Sequence, residues 1–183
     1  MTAAVLTTER LVLRQIRPDD LDVHMHWLNT PAVMRWLGGV QDEAGFAAGR
    51  ARIEAYRAAH GHTFWVVERR ADGAFLGFCG LKRSNQPGGP QGMMEVGWRL
   101  REDAWGQGYA KEAASAALAL AFDRFGADEV IALTVEGNAG SWGLMLRLGM
   151  VRRADLDFDS PDFDPENPRI IAYAITRERW EAA

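Results

Sequence analysis

The sequence predicts a mixed α/β (α+β) fold in which one sheet of about seven strands carries helices on its faces. Segments with the periodicity of strands and helices follow the order strand, two helices, three strands, helix, strand, helix, two strands. The chain has 183 residues, of which 48% are hydrophobic, enough for one domain with a core. No repeat or long linker divides it, so we predict that residues 1–183 form a single domain.

The first half contains the predicted elements that precede the glycine-rich turn. Residues 11–16 alternate as a strand, and Pro18 opens a short helix that a second helical turn follows. An amphipathic helix is predicted over residues 42–60, with Phe46, Ile53 and Tyr56 buried. Residues 63–68 and 75–81 are predicted strands of a hairpin, because Asp72-Gly73 between them favours a tight turn.

The second half predicts four more strands and two helices. Residues 95–100 alternate as a strand, and a helix runs from Tyr109 to near residue 126. Residues 129–135 form the next strand, and a helix over residues 138–148 ends at Gly149. Two final strands, near residues 150–153 and 170–175, flank an acidic loop.

Composition limits the partners and the compartment. The net charge of −4 argues against nucleic acid as a partner. Cys79 is the single cysteine, which excludes an internal disulfide and fits a reducing compartment. No apolar run is long enough to span a bilayer, and the N-terminus lacks a signal pattern. We therefore expect a cytoplasmic protein without a membrane partner.

The most informative segment is the glycine-containing turn at residues 105–111. Gly106 and Gly108 permit backbone angles that other residues resist, and a strongly helix-forming sequence begins at Tyr109. A bare turn before a helix presents unpaired N–H groups, which suit a phosphate or pyrophosphate. Taken alone, the glycine pair fits an ordinary tight turn equally well.

A second segment strengthens the first. Residues 138–150 begin with Asn138, which is placed to cap a helix, and Ser141 lies one turn further along. Together the two segments resemble the GNAT superfamily of acyl-CoA-dependent N-acetyltransferases. Gly108 and Ala110 match its pyrophosphate motif, (Gln/Arg)-x-x-Gly-x-(Gly/Ala), although Trp105 replaces the usual first residue. Four residues match the second motif directly, namely Asn138, Ser141, Leu144 and Gly149, while Arg147 and Met150 are near-matches.

This resemblance implies a mostly antiparallel sheet with a splayed central strand pair and acetyl-CoA as the acyl donor. The exposed strand edge that pairs with pantetheine would be Trp98, Arg99 and Leu100, with a backbone N–H that stabilises the oxyanion. The pyrophosphate would be held by the turn, and CoA also by Asn138. The residues assigned to the turn are Trp105, Gly106, Gln107, Gly108, Tyr109, Ala110 and Lys111.

The resemblance also implies direct attack of an amine on the thioester, for which the amine must lose a proton. Glu95 is the candidate base, acting through a water, and its alternative is a carboxylate on the sheet surface. Ser141 is the candidate acid for the departing thiolate, and it fits a capping arrangement equally well. Met145 stands where many members of the family carry a protonating tyrosine.

Other polar clusters carry weaker predictions. Asp155, Asp157, Asp159 and Glu166 imitate a calcium loop, but Ser160 stands where that loop needs glycine, so we predict no metal site. A solvated loop is the simplest interpretation, and an acidic rim that attracts a cationic amine, including Asp162 and Asp164, is the other. The remaining candidates are surface histidines, a core cysteine and two tryptophans for core or acceptor pocket, namely His24, His26, His60, His62, Cys79, Trp27 and Trp36.

The acceptor is the least constrained prediction. The sequences at the two ends of the chain resemble the branch of the family that acetylates ribosomal-protein N-termini, which implies a protein N-terminal α-amine. A small amine such as a polyamine or an aminoglycoside is the alternative within enzymes, and a non-catalytic acyl-CoA sensor is the alternative outside them. A homodimer is compatible with each of these functions.

Overall fold

The computed structural model describes residues 4–160 and 168–182, apart from the side chains of His24 and Met25. Within these residues one sheet contains nine strands in the order β1-β2-β3-β4-β5-β6-β9-β7, and β8 pairs with β9. The strands are β1 (Ala4–Thr7), β2 (Leu11–Arg14), β3 (Trp65–Arg69), β4 (Phe75–Arg83), β5 (Met94–Leu100), β6 (Glu129–Val135), β7 (Val151–Arg152), β8 (Phe158–Asp159) and β9 (Arg169–Thr176). The predicted mixed sheet is confirmed.

Every strand pair of this sheet is antiparallel except β5 with β6. The α-helices are α1 (Asp20–Leu28), α2 (Pro31–Met34), α3 (Glu43–His60), α4 (Tyr109–Asp123), α5 (Ala139–Arg147) and α6 (Arg177–Glu181). The single parallel pair follows from the long connection through α4, which returns the chain in the same direction.

The helices cover both faces of the sheet. α4 and α5 contribute Ala113, Leu118 and Leu144 to the larger core, together with β5 and β9. α1 and α2 bury Leu21, Leu28 and Val33 in a second core on the opposite face. Four alanines of α4 are fully buried, namely Ala113, Ala114, Ala117 and Ala121, and their small size brings the helix axis close to the sheet.

The structure differs from the predicted elements at the edges. The predicted burial of Phe46, Ile53 and Tyr56 is wrong, because these side chains are only half-buried and α3 buries no residue completely. The prediction also missed β1 and β8, which are short edge strands. Edge strands pair on one side, so packing constrains their sequences weakly.

Candidate active site

A V-shaped opening separates β5 from β6. The two strands pair only where Met94 and Glu95 face Val130 and Ile131, and beyond these residues they have no paired positions. The other edge of β5 pairs with β4 without a break, from Met94 opposite Arg83 to Leu100 opposite Gly77. β5 therefore carries one free edge along most of its length. This is the splayed pair that the resemblance implies, and it forms without a register shift between β4 and β5.

Backbone alternation decides which groups face the opening. The Arg101 N–H donates to the Leu76 carbonyl, so odd-numbered residues of β5 bond to β4. The N–H and C=O groups of Trp98 and Leu100 consequently point to the free edge. The Trp105 indole N–H donates to the Leu100 carbonyl over 2.9 Å, so the Leu100 N–H and both main-chain groups of Trp98 remain open at this edge.

The turn after β5 ends in a row of open donors. Gly106 and Gly108 have φ of 72° and 81°, in the left-handed region that favours glycine. The first helical bond of α4 runs from the Glu112 N–H to the Gly108 carbonyl. Among the described residues, no protein group accepts a hydrogen bond from the N–H groups of residues 106–111. The positive end of α4 lies at the same place, so the turn can hold an anion.

Arg10 braces this turn, a role that the sequence did not reveal. Its Nη1 donates to the Gln107 carbonyl over 2.9 Å, its Nε donates to Glu112 over 2.7 Å, and its guanidinium lies 4.7 Å from the Tyr109 ring centroid. Nothing in the spacing of Arg10 links it to the turn, because the contact spans about half of the chain.

The start of α5 lies at the same end of the sheet. α4 follows the carboxyl end of β5 and α5 follows that of β6, and the two ends flank the opening. Asn138 caps α5, as predicted, by accepting from the Ser141 N–H over 3.3 Å. Met145 is 1% exposed and belongs to the core, and its thioether has no proton to give at the position where the resemblance implies a tyrosine.

Glu95 lies at the apex of the V and is 5% exposed. Its Oε2 is 3.5 Å from Lys82 Nζ, on the neighbouring position of β4. Burial raises the pKa of Glu95, while the charge of Lys82 and the Ser84 hydroxyl oppose the rise. The alternative of an exposed sheet-surface carboxylate is therefore wrong: Glu95 is a buried acid.

Two aromatic residues, one in the bend before β3 and one in α3, complete the surroundings of Glu95. A Cβ on Gly97 would lie 2.5 Å from the Phe64 ring, so this ring covers the strand backbone beside Glu95. The Tyr56 hydroxyl donates to the Arg83 carbonyl and accepts from the Arg83 N–H, and its pKa is raised by burial and by the charge of Glu95. The sequence predicted neither contact, since both residues lie on distant segments.

The Trp98 and Arg99 side chains leave the free edge in opposite directions. Trp98 packs against the core on the α4 face. Arg99 extends to the α1–α2 face, where its Nη1 lies 3.5 Å from Met34 Sδ. Of these two residues, only Trp98 directs its main-chain N–H and C=O to the free edge, because the main-chain groups of Arg99 face β4.

The two tryptophans that were candidates for the acceptor pocket lie in different places. Trp27 is 39% exposed, and the Arg101 guanidinium lies 3.5 Å from its ring centroid. Trp36 packs on the loop before α5, where a Cβ on Gly137 would lie 2.7 Å from its ring. Trp36 thus lies next to the opening, whereas Trp27 is a surface residue.

The other candidates stay outside the opening. Cys79 is buried, and burial raises its pKa to about 12, so its thiol is inert. His26 and His60 are exposed. The His24 side chain and the acidic residues Asp162, Asp164 and Glu166 lie outside the described residues.

The described part of the acidic loop is neutralised by arginines. Asp155 pairs with Arg153, Asp157 with Arg152, and Asp159 with Arg169. These carboxylates do not form a metal cluster, and the described chain contains no group of three or more His, Cys, Asp or Glu side chains suited to a metal ion.

Comparisons with known proteins agree with this geometry. Residues 10–151 match the family model described as an acetyltransferase (GNAT) domain. The Bacillus subtilis protein YkkB is 30% identical over 79% of this chain and 84% of its own length. The Aspergillus fumigatus FsC-acetyl coenzyme A-N(2)-transacetylase is 34% identical over 60% of this chain and 49% of its own length.

Solved structures share the fold. An acetyltransferase from Agrobacterium tumefaciens superposes with a TM-score of 0.79 at 22% identity, covering 97% of this chain and 96% of that one. Spermidine N-acetyltransferase from Vibrio cholerae, in complex with CoA and spermine, superposes with a TM-score of 0.74 at 15% identity, covering 95% and 99%. No helix among the described residues combines the length and hydropathy of a membrane span.

Proposed function

The chain belongs to the GNAT acetyltransferases, and we propose that it transfers the acetyl group of acetyl-CoA to a protein N-terminal α-amine. That it is an acetyl-CoA-dependent N-acetyltransferase follows from the family. The acceptor and the residue roles are our proposals. The observation that carries the residue roles is the free edge of β5, flanked by the N-termini of two helices.

Acetyl-CoA fits this opening in one orientation. Its pyrophosphate takes the N–H groups of residues 106–111, which have no protein acceptor among the described residues. Its pantetheine amides pair with the free edge, where the groups of Trp98 are available. Asn138 lies across the opening, at the start of α5, and contacts the same ligand from the other side.

Transfer then proceeds by direct attack. Glu95 accepts the proton of the acceptor ammonium through a water, and the neutral amine attacks the thioester carbonyl. The Trp98 N–H stabilises the oxyanion of the tetrahedral intermediate. Collapse of the intermediate forms the amide and breaks the carbon–sulfur bond, and CoA leaves as a thiolate that takes a proton from Ser141 or from water.

The choice of a protein N-terminus is supported by the resemblance of the chain ends to the ribosomal-protein branch. A small-molecule amine is the second candidate, favoured by the name of the Aspergillus relative, an N(2)-transacetylase. Two cations on the α1–α2 face of the sheet, Lys82 and Arg99, disfavour a polyamine such as the one bound to the Vibrio protein. A sensor without turnover requires only the first half of the proposal, the binding of acetyl-CoA.

Release of CoA thiol tests the proposal. The protein is incubated with acetyl-CoA and a panel of N-terminal peptides, polyamines and aminoglycosides. We expect turnover with peptides and a much slower Glu95→Gln variant that keeps its affinity for acetyl-CoA. Turnover with small amines alone would show that the acceptor is a small amine and not a protein N-terminus. Binding of acetyl-CoA without CoA release for any acceptor would support the non-catalytic sensor.

A further inference from the structure

Arg99 is a cation without a counterion in the part of the chain that the structure describes. Its side chain is half-buried, and among the described residues its one polar contact is the 3.5 Å approach of Nη1 to Met34 Sδ. A thioether is a weak acceptor that neutralises no charge. No carboxylate of the described residues pairs with Arg99.

Arg14 shows what a buried arginine of this protein looks like when it is paired. It contacts Asp20 over 2.7 Å and Glu68 over 2.6 Å, and these bonds raise its pKa. At Arg99, by contrast, burial is unopposed and lowers the pKa to about 10. A charge that is partly removed from water without a partner costs free energy, and a negative group of a ligand would offset that cost.

The position of Arg99 selects among ligands. Glu95, Gly97 and Arg99 occupy alternate positions of β5 and thus share one face of the sheet. This is the face of α1 and α2, as the contact with Met34 shows. α4, whose N-terminus we assign to the pyrophosphate, packs on the opposite face. Arg99 therefore points to the side from which the acceptor approaches Glu95, and away from the phosphates of CoA.

The spacing along β5 sets the size of the acceptor. Arg99 lies four positions after Glu95, which is about 13 Å of extended strand. Between them Gly97 contributes no side chain, and the Phe64 ring covers its backbone. An acceptor that reaches both ends therefore passes over the Phe64 ring, with its amine near Glu95 and a negative group near the guanidinium.

We propose that Arg99 binds a carboxylate of the acceptor, so that the enzyme selects amines that carry an acidic group within about 13 Å of the reacting nitrogen. The inference rests on the proposed function of the Glu95 site. For a protein acceptor, it means that an Asp or Glu side chain among the first residues increases the rate. For a small-molecule acceptor, it means that the enzyme acetylates an amino acid in preference to a polyamine.

Matched peptide pairs test this selection. The pairs have Asp against Asn, and Glu against Gln, at each of the first three positions, and kcat/KM is measured by CoA release. We expect the wild type to prefer the acidic member of at least one pair by about 10- to 100-fold, the range of hydrogen bonds to charged groups. Arg99→Gln should reduce that ratio to about one, and Arg99→Lys should restore part of it.

Arg101 supplies the matched control. It lies two positions further along the same face, but it already pairs with Asp103 over 2.5 Å. Arg101→Gln should therefore leave the acidic-to-neutral ratio unchanged. A wild type without preference, or a preference that survives in Arg99→Gln, overturns the inference while leaving the proposed acetyl transfer intact.

Failure of the proposed function gives a different pattern. If no peptide releases CoA, the same pairs are titrated by calorimetry into the protein saturated with CoA. Tighter binding of acidic peptides to the wild type than to Arg99→Gln would support the role of Arg99 without catalysis. Equal binding by both proteins would refute it.

Discussion

The charge of Glu95 governs the pH dependence of the reaction if Glu95 is the base. Burial raises its pKa above the ordinary value of 4.5, and Lys82 opposes the rise. Only the ionised carboxylate accepts a proton, so kcat/KM should increase with pH through the raised pKa. Glu95→Gln removes the base, which should lower kcat by about 10²- to 10⁴-fold, or about 3–5 kcal/mol of transition-state stabilisation.

The Lys82→Met variant makes the prediction more specific. Opposite charges about 4 Å apart attract by about 4 kcal/mol at an effective dielectric constant of about 20. The 3.5 Å separation of Lys82 and Glu95 is within that range, and both side chains are largely buried. Loss of the ammonium removes an interaction that favours the carboxylate, so the acidic limb of the profile should move to higher pH.

The assay is the pH profile of kcat/KM for the wild type and both variants, with acetyl-CoA affinity as the control for folding. Stability supplies a second readout. Because the folded pKa of Glu95 exceeds the unfolded one, the wild type should lose stability relative to Glu95→Gln as pH rises above about 4.5. An acidic limb that stays in place in Lys82→Met, or that persists in Glu95→Gln, would refute Glu95 as the base.

Three further predictions concern the turn at residues 105–111, the surface of β5 at Gly97 and the buried pair of Arg14 and Asp20. Gly108→Ala and Gly126→Ala both place a side chain at positive φ, so each should lose about 1–2 kcal/mol of stability, but only Gly108→Ala should weaken acetyl-CoA binding in calorimetry. Equal affinities of the two would exclude the turn from the site. Gly97→Ala forces a Cβ to within 2.5 Å of Phe64, so it should lower the free energy of unfolding by about 1–3 kcal/mol. It should also raise KM for the acceptor more than KM for acetyl-CoA. An increase in KM for acetyl-CoA alone would contradict this. Burial alone would raise the pKa of Asp20, but its bonds to arginine lower that pKa. Asp20 therefore contributes stability that falls as the pH drops below about 3.8. Asp20→Asn should lower the free energy of unfolding in urea by about 3–5 kcal/mol and make the acid unfolding less steep.

The sequence predicted the features that depend on local pattern. The strand at residues 129–135 and the capping of α5 by Asn138 agree with the structure to the residue, because period and cap chemistry are local. The glycines of the turn have the positive φ that their type suggests. The free edge at Trp98 came from the family resemblance, since periodicity carries no information about strand pairing.

Features that depend on contacts between distant parts of the chain could not be predicted from the sequence pattern. Arg10 reaches the turn across about half of the chain, and Phe64 lies over Gly97 from the bend before β3. The counterion of an arginine is equally invisible in a pattern, so the isolation of Arg99 became evident only from its neighbours. α3 has helical periodicity but is half-exposed, because periodicity indicates a face and not what covers it.

A crystal structure of the protein with CoA tests the central claim most directly. We predict the pyrophosphate within hydrogen-bond distance of the N–H groups of residues 108–111, with pantetheine along the free edge of β5 and its sulfur near Trp98. A pyrophosphate bound elsewhere, or an empty opening between β5 and β6 in crystals that contain the ligand, would contradict it.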